Sequence, residues 1–304
     1  MTRPEGATDR PSERIPTGVP GLDTILHGGF LRGGVYMLQG HPGAGKTILA
    51  NQLCFHHASQ GGRVVYATLL AESHERMIFN LEPLTFFDAS LIPEKLTYVS
   101  AFSVLQERGL TGLVEMLRRE ARTRKATLLV VDGLVGAEES ASTRQEFKKM
   151  IHELQTHAGL VGCTVILLTS GSSSSPMAAE HTMVDGFIEL GNQRVGRRAE
   201  RELEIRKFRG SSIIRGGHSF QITDAGLVVH PRLEAMLQEP SQKDPCKLER
   251  VSTGIPRLNE MLHGGLPCGS STIVFGPSGV GKTTLGLHFL NHSGREEPGL
   301  HVGF

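Results

Sequence analysis

Two eight-residue segments combine glycine, lysine and threonine at a spacing that suits phosphate binding. The first loop spans residues 40–47 and the second loop spans residues 276–283, and both match G-x-x-x-x-G-K-[ST]. The glycines of such a loop let the backbone curl, so that successive N–H groups point at an anion. The lysine adds a mobile positive charge, and the threonine hydroxyl can bind Mg²⁺ at the start of a helix. Both loops therefore predict contact with nucleotide phosphates.

Acidic side chains at strand ends are the second requirement of this chemistry. Residues 127–132 (TLLVVD) form an apolar run that ends in Asp132, which we expect to hold Mg²⁺ directly or through water. Glu72 comes just past the apolar run 63–70, at the sheet edge where open α/β folds bind ligands. It could orient an attacking water, or it could simply cap the next helix. Glu138 and Glu139 are rival acids that resemble loop residues.

The two loops belong to a longer internal repeat. Residues 14–47 and 250–283 align without a gap and share an arginine, T-G-x-P, L-H-G-G and the whole loop pattern. Two matches in matching flanks are not reasonably due to chance, so we interpret the chain as a tandem duplication. In the second copy the counterpart of Asp132 would lie beyond residue 304. We therefore expect a phosphate contact without hydrolysis from these residues: Gly279, Gly281, Lys282 and Thr283.

The elements that must position these groups alternate between strand and helix. Short apolar runs have the length of buried strands at residues 35–39, 63–70, 95–100, 127–132 and 163–169. Segments with helical spacing lie between them, which predicts an α/β fold with a mainly parallel, doubly wound sheet. After Pro176 the runs are shorter and alternate, at 186–190, 200–208 and 219–223. This change predicts an antiparallel extension at one edge of the sheet.

Composition sets the domain boundaries and excludes several classes of protein. We expect a disordered lead-in at 1–13, a first domain at 14–231, a polar linker at 232–249 and the start of a second domain at 250–304. The formal net charge of +1 gives no overall attraction to nucleic acid or membrane. No apolar run approaches the ~18 residues of a membrane span. The four cysteines form no C-x-x-C pair, which suits a reducing cytoplasm better than a zinc site or a disulfide framework.

The combined motifs closely resemble the KaiC group of RecA-like ATPases. The matching features are T-G-x-P-x-L-D, L-H-G-G, the first loop, V-V-Y-A-T-L-L-A-E-S, L-V-V-D, E-I-R-K-F-R-G at 204–210 and F-Q-I-T-D-A-G at 220–226. The likeness covers residues 14–304. It implies a RecA-type core, ATP and Mg²⁺ as cofactors, and a homohexameric ring that binds ATP at its subunit interfaces.

The resemblance also implies roles at matching positions. The phosphate contacts would be Gly43, Ala44, Gly45, Lys46, Thr47 and Ile48. Lys207 and Arg209 resemble residues that reach the neighbouring subunit's nucleotide, and Thr223 and Asp224 resemble further cross-subunit contacts. A cation supplied by a neighbour can stabilise charge on the γ-phosphate only when the ring is assembled. Ordinary charge at a strand edge is the alternative interpretation of Lys207 and Arg209.

Two departures from the family pattern affect the expected activity. The family pairs two glutamates where this chain has Ala71 and Glu72, so we expect slow hydrolysis with Glu72 as the remaining catalytic acid. The loop at 171–176, which faces the central channel in RecA-like rings, is rich in serine and offers little grip on nucleic-acid phosphates.

The favoured function is a KaiC-like ring ATPase that binds and slowly hydrolyses ATP in nucleotide-driven signalling or timing, with protein partners that the sequence does not identify. Serine/threonine kinase activity of the KaiC type would require second-domain segments beyond residue 304. One alternative is a RecA/RadA-like DNA-dependent ATPase, which the neutral charge and the serine-rich loop disfavour. The other alternative is a nucleotide-gated interaction module without turnover.

Overall fold

A computed structural model describes residues 13–70, 74–171, 183–195, 198–236, 249–292 and 299–303. Glu72, most of the expected lead-in, most of the expected linker and most of the serine-rich loop lie outside the described residues. The chain forms two compact units, Met1–Gln238 and Glu239–Phe304. The exact domain boundaries stay predictions.

A nine-stranded sheet organises the first unit. Its strands are β3 (Val35–Gly40), β4 (Val64–Thr68), β5 (Leu96–Ser100), β6 (Leu128–Asp132), β7 (Thr164–Ser170), β8 (Gly186–Val195), β9 (Arg198–Phe208), β10 (Gly217–Thr223) and β11 (Gly226–His230). Their order is β11-β10-β9-β8-β3-β7-β6-β4-β5. Neighbours from β8 to β5 run parallel, and β9, β10 and β11 add antiparallel pairs. This confirms the predicted parallel sheet with an antiparallel extension.

Helices cover both faces of this sheet. They are α1 (Leu22–Ile25), α2 (Lys46–Ser59), α3 (His74–Leu81), α4 (Phe102–Thr123), α5 (Leu134–Glu139), α6 (Arg144–Val161) and α7 (Leu233–Met236), and a 3₁₀ turn spans Ala89–Leu91. Glu138 and Glu139 thus lie on a short helix and not in a loop. None of the helices in the described part of the chain is long and apolar enough to cross a membrane.

Two hydrophobic cores explain why the central strands are continuous apolar runs. Successive strand side chains point to opposite faces, so Tyr36 and Leu38 enter the core beneath α2 while Val35 and Met37 enter the core beneath α4 and α6. Strands buried on both faces need apolar side chains at every position. The same alternation places Asp132, at the last position of β6, on the α2 side of the sheet, where the first loop lies.

A small sheet and the edge hairpin complete the first unit. Strands β1 (Arg14–Ile15) and β2 (Phe30–Leu31) pair antiparallel just before β3. Strand β11, which the sequence patterns did not predict, pairs with β10 along its whole length. Asp224 and Ala225 form the turn between them, and Gly226, the first residue of β11, has φ 91°, a conformation that L side chains rarely adopt.

The second unit contains the start of the repeated pattern. Its described elements are β12 (Arg250–Val251), α8 (Pro256–Met261), β13 (Leu266–Pro267) and α9 (Lys282–Asn291). Residues 272–275, which align with the middle of β3, belong to no strand in the described range 249–292.

Candidate active site

The first loop connects the end of β3 to the start of α2. Gly43 and Gly45 have φ of 78° and 102°, so the loop uses backbone conformations that favour glycine. A Cβ on Gly45 would also lie 2.8 Å from the Ile222 side chain, whereas one on Gly43 would meet nothing within 4 Å. No side chain caps the start of α2, and its first turn carries no acid. The free N–H groups at this helix start favour an anion.

Lys46 is held at the mouth of the first loop. Its Nζ donates hydrogen bonds to the carbonyl oxygens of Gly40 at 2.7 Å and His41 at 3.0 Å, which close the loop around the ammonium group. Burial lowers the pKa of Lys46, and the nearby Asp132 carboxylate acts in the opposite direction. A half-buried cation between loop carbonyls is suitably placed to turn toward phosphate oxygens.

Thr47 and Asp132 meet across the sheet surface. The Thr47 hydroxyl donates to Asp132 Oδ2 at 3.3 Å, although Asp132 comes from β6 and the loop follows β3. Asp132 is only 8% exposed. Burial raises its pKa, while hydrogen bonds from Tyr66 and Thr47 and the charge of Lys46 lower it. The site thus offers two protein oxygen ligands, the Thr47 hydroxyl and the Asp132 carboxylate. Mg²⁺ suits such a site, because it usually keeps several waters and binds phosphate oxygens in addition to one or two protein ligands.

A cavity of about 350 Å³ lies beside this pair of side chains. Its lining includes Thr47, Asp132, Thr68, Leu70 and His74. Leu70 and His74 are the described residues on either side of the segment that contains Glu72. The chain before and after the predicted catalytic acid therefore borders the cavity, while the position of Glu72 itself stays a prediction.

His74 is a cavity residue that the sequence patterns did not single out. Its Nε2 lies 2.9 Å from Thr68 Oγ1, at the end of β4. Burial lowers the pKa of His74, and a hydrogen bond with the Val99 backbone acts in the opposite direction. In the sequence, His74 follows a strand and begins an ordinary helical pattern, which gives no signal of this contact.

Tyr66 and Tyr98 support the site from the sheet beneath α2. The sequence patterns did not single out either of them. The Tyr66 hydroxyl donates to Asp132 Oδ2 at 2.8 Å. The Tyr98 hydroxyl donates to Asn51 Oδ1 at 2.8 Å, and Asn51 Nδ2 donates to the Thr47 carbonyl at 2.8 Å. A tyrosine inside an apolar strand signals a buried hydrogen bond, because its hydroxyl needs a partner there. The sequence does not reveal which partner it takes.

Lys207 and Arg209 lie away from the first loop of their own chain. Gly40, where the loop begins, is level with Leu190 and Leu203 across the sheet, and Lys207 lies four residues further along β9. Four strand residues span about 13 Å, toward the edge at which β3 begins. There, Arg209 Nη1 is 3.9 Å from Asp185 Oδ1. Burial and then the Arg209 charge lower the pKa of Lys207, and Asp185 raises it.

Thr223 and Asp224 lie on the opposite edge, beside the first loop of their own chain. Thr223 ends β10 and Asp224 begins the turn to β11, and the side chain of the adjacent Ile222 lies next to Gly45. The Asp224 carbonyl accepts a hydrogen bond from the Thr85 N–H at 2.8 Å. Thr223 and Asp224 therefore lie near the first loop of their own chain, whereas Lys207 and Arg209 lie away from that loop.

The second loop repeats the local geometry of the first. Gly279 and Gly281 have φ of 81° and 97°, and the loop leads into α9. Lys282 Nζ donates to the carbonyl oxygens of Gly276 at 2.8 Å and Pro277 at 2.7 Å.

Comparisons with known proteins agree on one family. The model of the KaiC ATPase family matches residues 15–234 and 251–304. The circadian clock oscillator protein KaiC of Rippkaea orientalis is 28% identical over 300 residues, which cover 93% of this chain and 56% of that protein. The protein of the same name from Synechococcus elongatus is 26% identical over 305 residues, which cover 96% of this chain and 58% of that protein. The chain thus spans little more than half the length of these relatives.

A solved structure shows the same fold. The crystal structure of a KaiC-like protein from Pyrococcus horikoshii OT3 superposes with a TM-score of 0.64 at 25% identity, and the match covers 73% of this chain and 100% of that chain.

Proposed function

The chain belongs to the KaiC family of ATPases, and we propose that its first copy binds ATP with Mg²⁺ and hydrolyses it slowly. The observation that carries this proposal is the 3.3 Å contact between Thr47 and Asp132 beside the first loop. It joins an alcohol and a carboxylate from distant parts of the sequence at the start of an uncapped helix. Such a pair, next to an anion-binding loop and a lysine, suits a nucleotide with its metal ion.

We assign a separate role to each group of residues in the first copy. The backbone N–H groups of residues 43–48 hold the phosphates, and the Lys46 ammonium group binds their outer oxygens. Thr47 and Asp132 hold Mg²⁺, which neutralises charge on the phosphates when it is bound. Glu72 orients the attacking water in the cavity that Leu70 and His74 border. Hydrolysis is slow because one glutamate stands where the family pairs two.

Assembly completes the site. Lys207 and Arg209 lie at the sheet edge opposite the first loop, which supports a role at a neighbouring subunit's nucleotide. The resemblance implies cross-subunit contacts for Thr223 and Asp224, but both lie beside the loop of their own chain, so we propose instead that they contact that chain's own nucleotide. We propose a homohexameric ring in which each interface combines these two edges.

The biological role that we propose is nucleotide-driven signalling or timing through protein partners. The matched relatives are circadian clock oscillator proteins, and the family motifs continue into the second copy. The neutral net charge gives no electrostatic support for a nucleic-acid partner.

Phosphate release by an Asp132→Asn variant tests this function. At saturating ATP and Mg²⁺ we expect the rate to fall about 100-fold, because the amide has lost the charge that holds the metal. Glu139→Gln is the matched control, since it makes the same change on an exposed acid of α5 and should keep the wild-type rate. Wild-type turnover in Asp132→Asn would refute the assignment of this site. If only Glu139→Gln lost phosphate release, the acid required for hydrolysis would lie on α5 and not at Asp132.

A further inference from the structure

The chain contains three tyrosines, and one of them contacts the carboxylate expected to hold the metal. Tyr66 lies in the middle of β4 and is fully buried. It pairs with Val130, two residues before Asp132 on the adjacent strand, so both side chains lie on the same face of the sheet. Its hydroxyl donates to Asp132 Oδ2 at 2.8 Å, the shortest contact to that carboxylate among the described hydrogen bonds.

The Tyr66 hydroxyl has a fixed position because packing holds the ring. The ring belongs to the core beneath α2, and its centroid lies 5.4 Å from that of Tyr98. Tyr98 is anchored in turn through Asn51, which also binds the Thr47 carbonyl. A hydrogen-bond donor on such a rigid support restrains the group that accepts from it.

Asp132 Oδ2 thus accepts from two hydroxyls at once. Tyr66 donates from the sheet at 2.8 Å and Thr47 donates from the loop at 3.3 Å. Two donors on one oxygen define the orientation of the carboxylate with respect to Thr47, the other residue expected to bind the metal. Partners behind metal-binding side chains commonly change metal affinity by about 10–100-fold.

We propose that Tyr66 is a positioning residue for Mg²⁺: its hydroxyl holds the Asp132 carboxylate toward Thr47 and so strengthens metal binding in the nucleotide complex. This inference rests on the proposed ATP site and adds a residue to it. The competing explanation is that Asp132 merely satisfies a tyrosine buried in the core, in which case the hydroxyl would contribute to stability alone.

Mn²⁺ binding measured by electron paramagnetic resonance, with a non-hydrolysable ATP analogue, separates these explanations. All variants carry Lys282→Ala, so that only the first loop is tested. Tyr66→Phe should weaken Mn²⁺ binding about tenfold. Its affinity for the analogue without metal should stay within about twofold of the parent, because the loop and Lys46 are untouched. Unchanged Mn²⁺ affinity in Tyr66→Phe would overturn the proposal.

Tyr36 provides the matched control. Tyr36→Phe removes a buried hydroxyl that bonds the Leu31 backbone at the far end of β3. Mn²⁺ affinity should change by less than about threefold in this variant. An equal tenfold loss in Tyr36→Phe would attribute the effect to general packing and overturn the specific role of Tyr66.

A double-mutant cycle tests the pathway of the effect. If Tyr66 acts through the Asp132 carboxylate, Tyr66→Phe should cause little further loss of Mn²⁺ affinity in an Asp132→Asn protein. A full additional tenfold loss would mean that Tyr66 acts elsewhere. Failure of the parent protein to bind Mn²⁺ with the analogue would refute the proposed ATP site itself, an outcome distinct from failure of the Tyr66 proposal.

A second measurement applies if Tyr66→Phe does not fold. Fluorotyrosine incorporated at all three positions gives three ¹⁹F resonances, which Tyr36→Phe and Tyr98→Phe assign. Adding Mg²⁺ to the complex with the analogue should shift the Tyr66 resonance most. An unmoved Tyr66 resonance would overturn the proposal.

Discussion

The first and second loops have nearly the same local geometry in very different surroundings. Gly43 and Gly279 have φ of 78° and 81°, and Lys46 and Lys282 bond their loop carbonyls at 2.7–3.0 Å. Yet Met37, before the first loop, is 2% exposed, while Ile273, its counterpart before the second, is 90% exposed. The comparison shows that a short sequence suffices to shape the loop, whereas the site around it needs a sheet.

The flanking turns of the two copies repeat the same hydrogen bonds. Arg14 donates to the Leu26 and Gly29 carbonyls, and Arg250 donates to those of Leu262 and Gly265. The N–H groups of the T-G-x-P threonines bond Asp23 and Asn259, each at 2.9 Å. These contacts span at most 15 residues, so they form wherever the local sequence is present.

Long-range contacts distinguish the copies. In the first copy β3 lies between β7 and β8, Thr47 bonds Asp132, and Ile222 abuts Gly45. The partners in these contacts lie 85 or more residues along the chain from the loop. In the second unit, residues 272–275 pair with no strand within the described range 249–292.

Replacing the lysine of each loop should give the largest difference between the copies, measured as the rate of phosphate release. Lys46→Ala should reduce phosphate release by about 100-fold or more, because the outer phosphate oxygens lose their cation. Lys282→Ala, the matched change, should stay within about twofold of wild type, because Thr283 has no counterpart of Asp132 among the described residues 249–292 and 299–303. Steady-state phosphate release measures both. Equal losses would mean that the second loop takes part in turnover.

Truncating the apolar side chain three residues before each loop should give the next largest difference between the copies. Met37→Ala should lower the free energy of unfolding by about 2–5 kcal/mol, since it leaves a cavity beneath α4 and α6. Ile273→Ala should change it by at most about 0.5 kcal/mol, because the side chain is already exposed. Urea unfolding followed by circular dichroism compares the two. A large effect of Ile273→Ala would show that this segment is covered in solution.

Replacing the last glycine of each loop by alanine should give the smallest difference in free energy between the two copies. Gly281→Ala faces only the strain of its positive φ, roughly 1–2 kcal/mol, because its Cβ would meet nothing within 4 Å. Gly45→Ala carries the same strain and must also displace Ile222, which adds about 1 kcal/mol or more. Hydrogen exchange at the first amides of α2 and α9 measures the opening of each loop. Equal increases in exchange for the two variants would mean that the hairpin of β10 and β11 moves aside at no cost in free energy.

Much of the fold was predictable because its signals are local. Apolar runs such as 127–132 predicted the central strands, since strands covered on both faces need apolar side chains throughout. Glycine spacing predicted the loops, and alternation after Pro176 predicted the antiparallel edge. Strand β11 was missed because the short run 226–230 is recognisable only through its pairing with β10.

The candidate site was only partly predictable. Lys46, Thr47 and Asp132 follow from motif and spacing, and the structure brings all three together. The contact of Tyr66 was not foreseeable, because it depends on which strand lies beside β4. The contact of His74 is with Thr68, six residues earlier at the end of β4, and no sequence pattern indicates it. Glu72 lies outside the described residues, so its catalytic role stays a prediction.

By itself the sequence determined the two loops, the turns before them and the alternation of strand and helix, because hydrogen bonds and dihedral preferences act over a few residues. The tertiary structure alone decided which loop meets an acid, which tyrosine supports it, and which edge carries Lys207 or Asp224. Those outcomes depend on strand order, which is fixed by burying two apolar faces at once and cannot be read from any single segment.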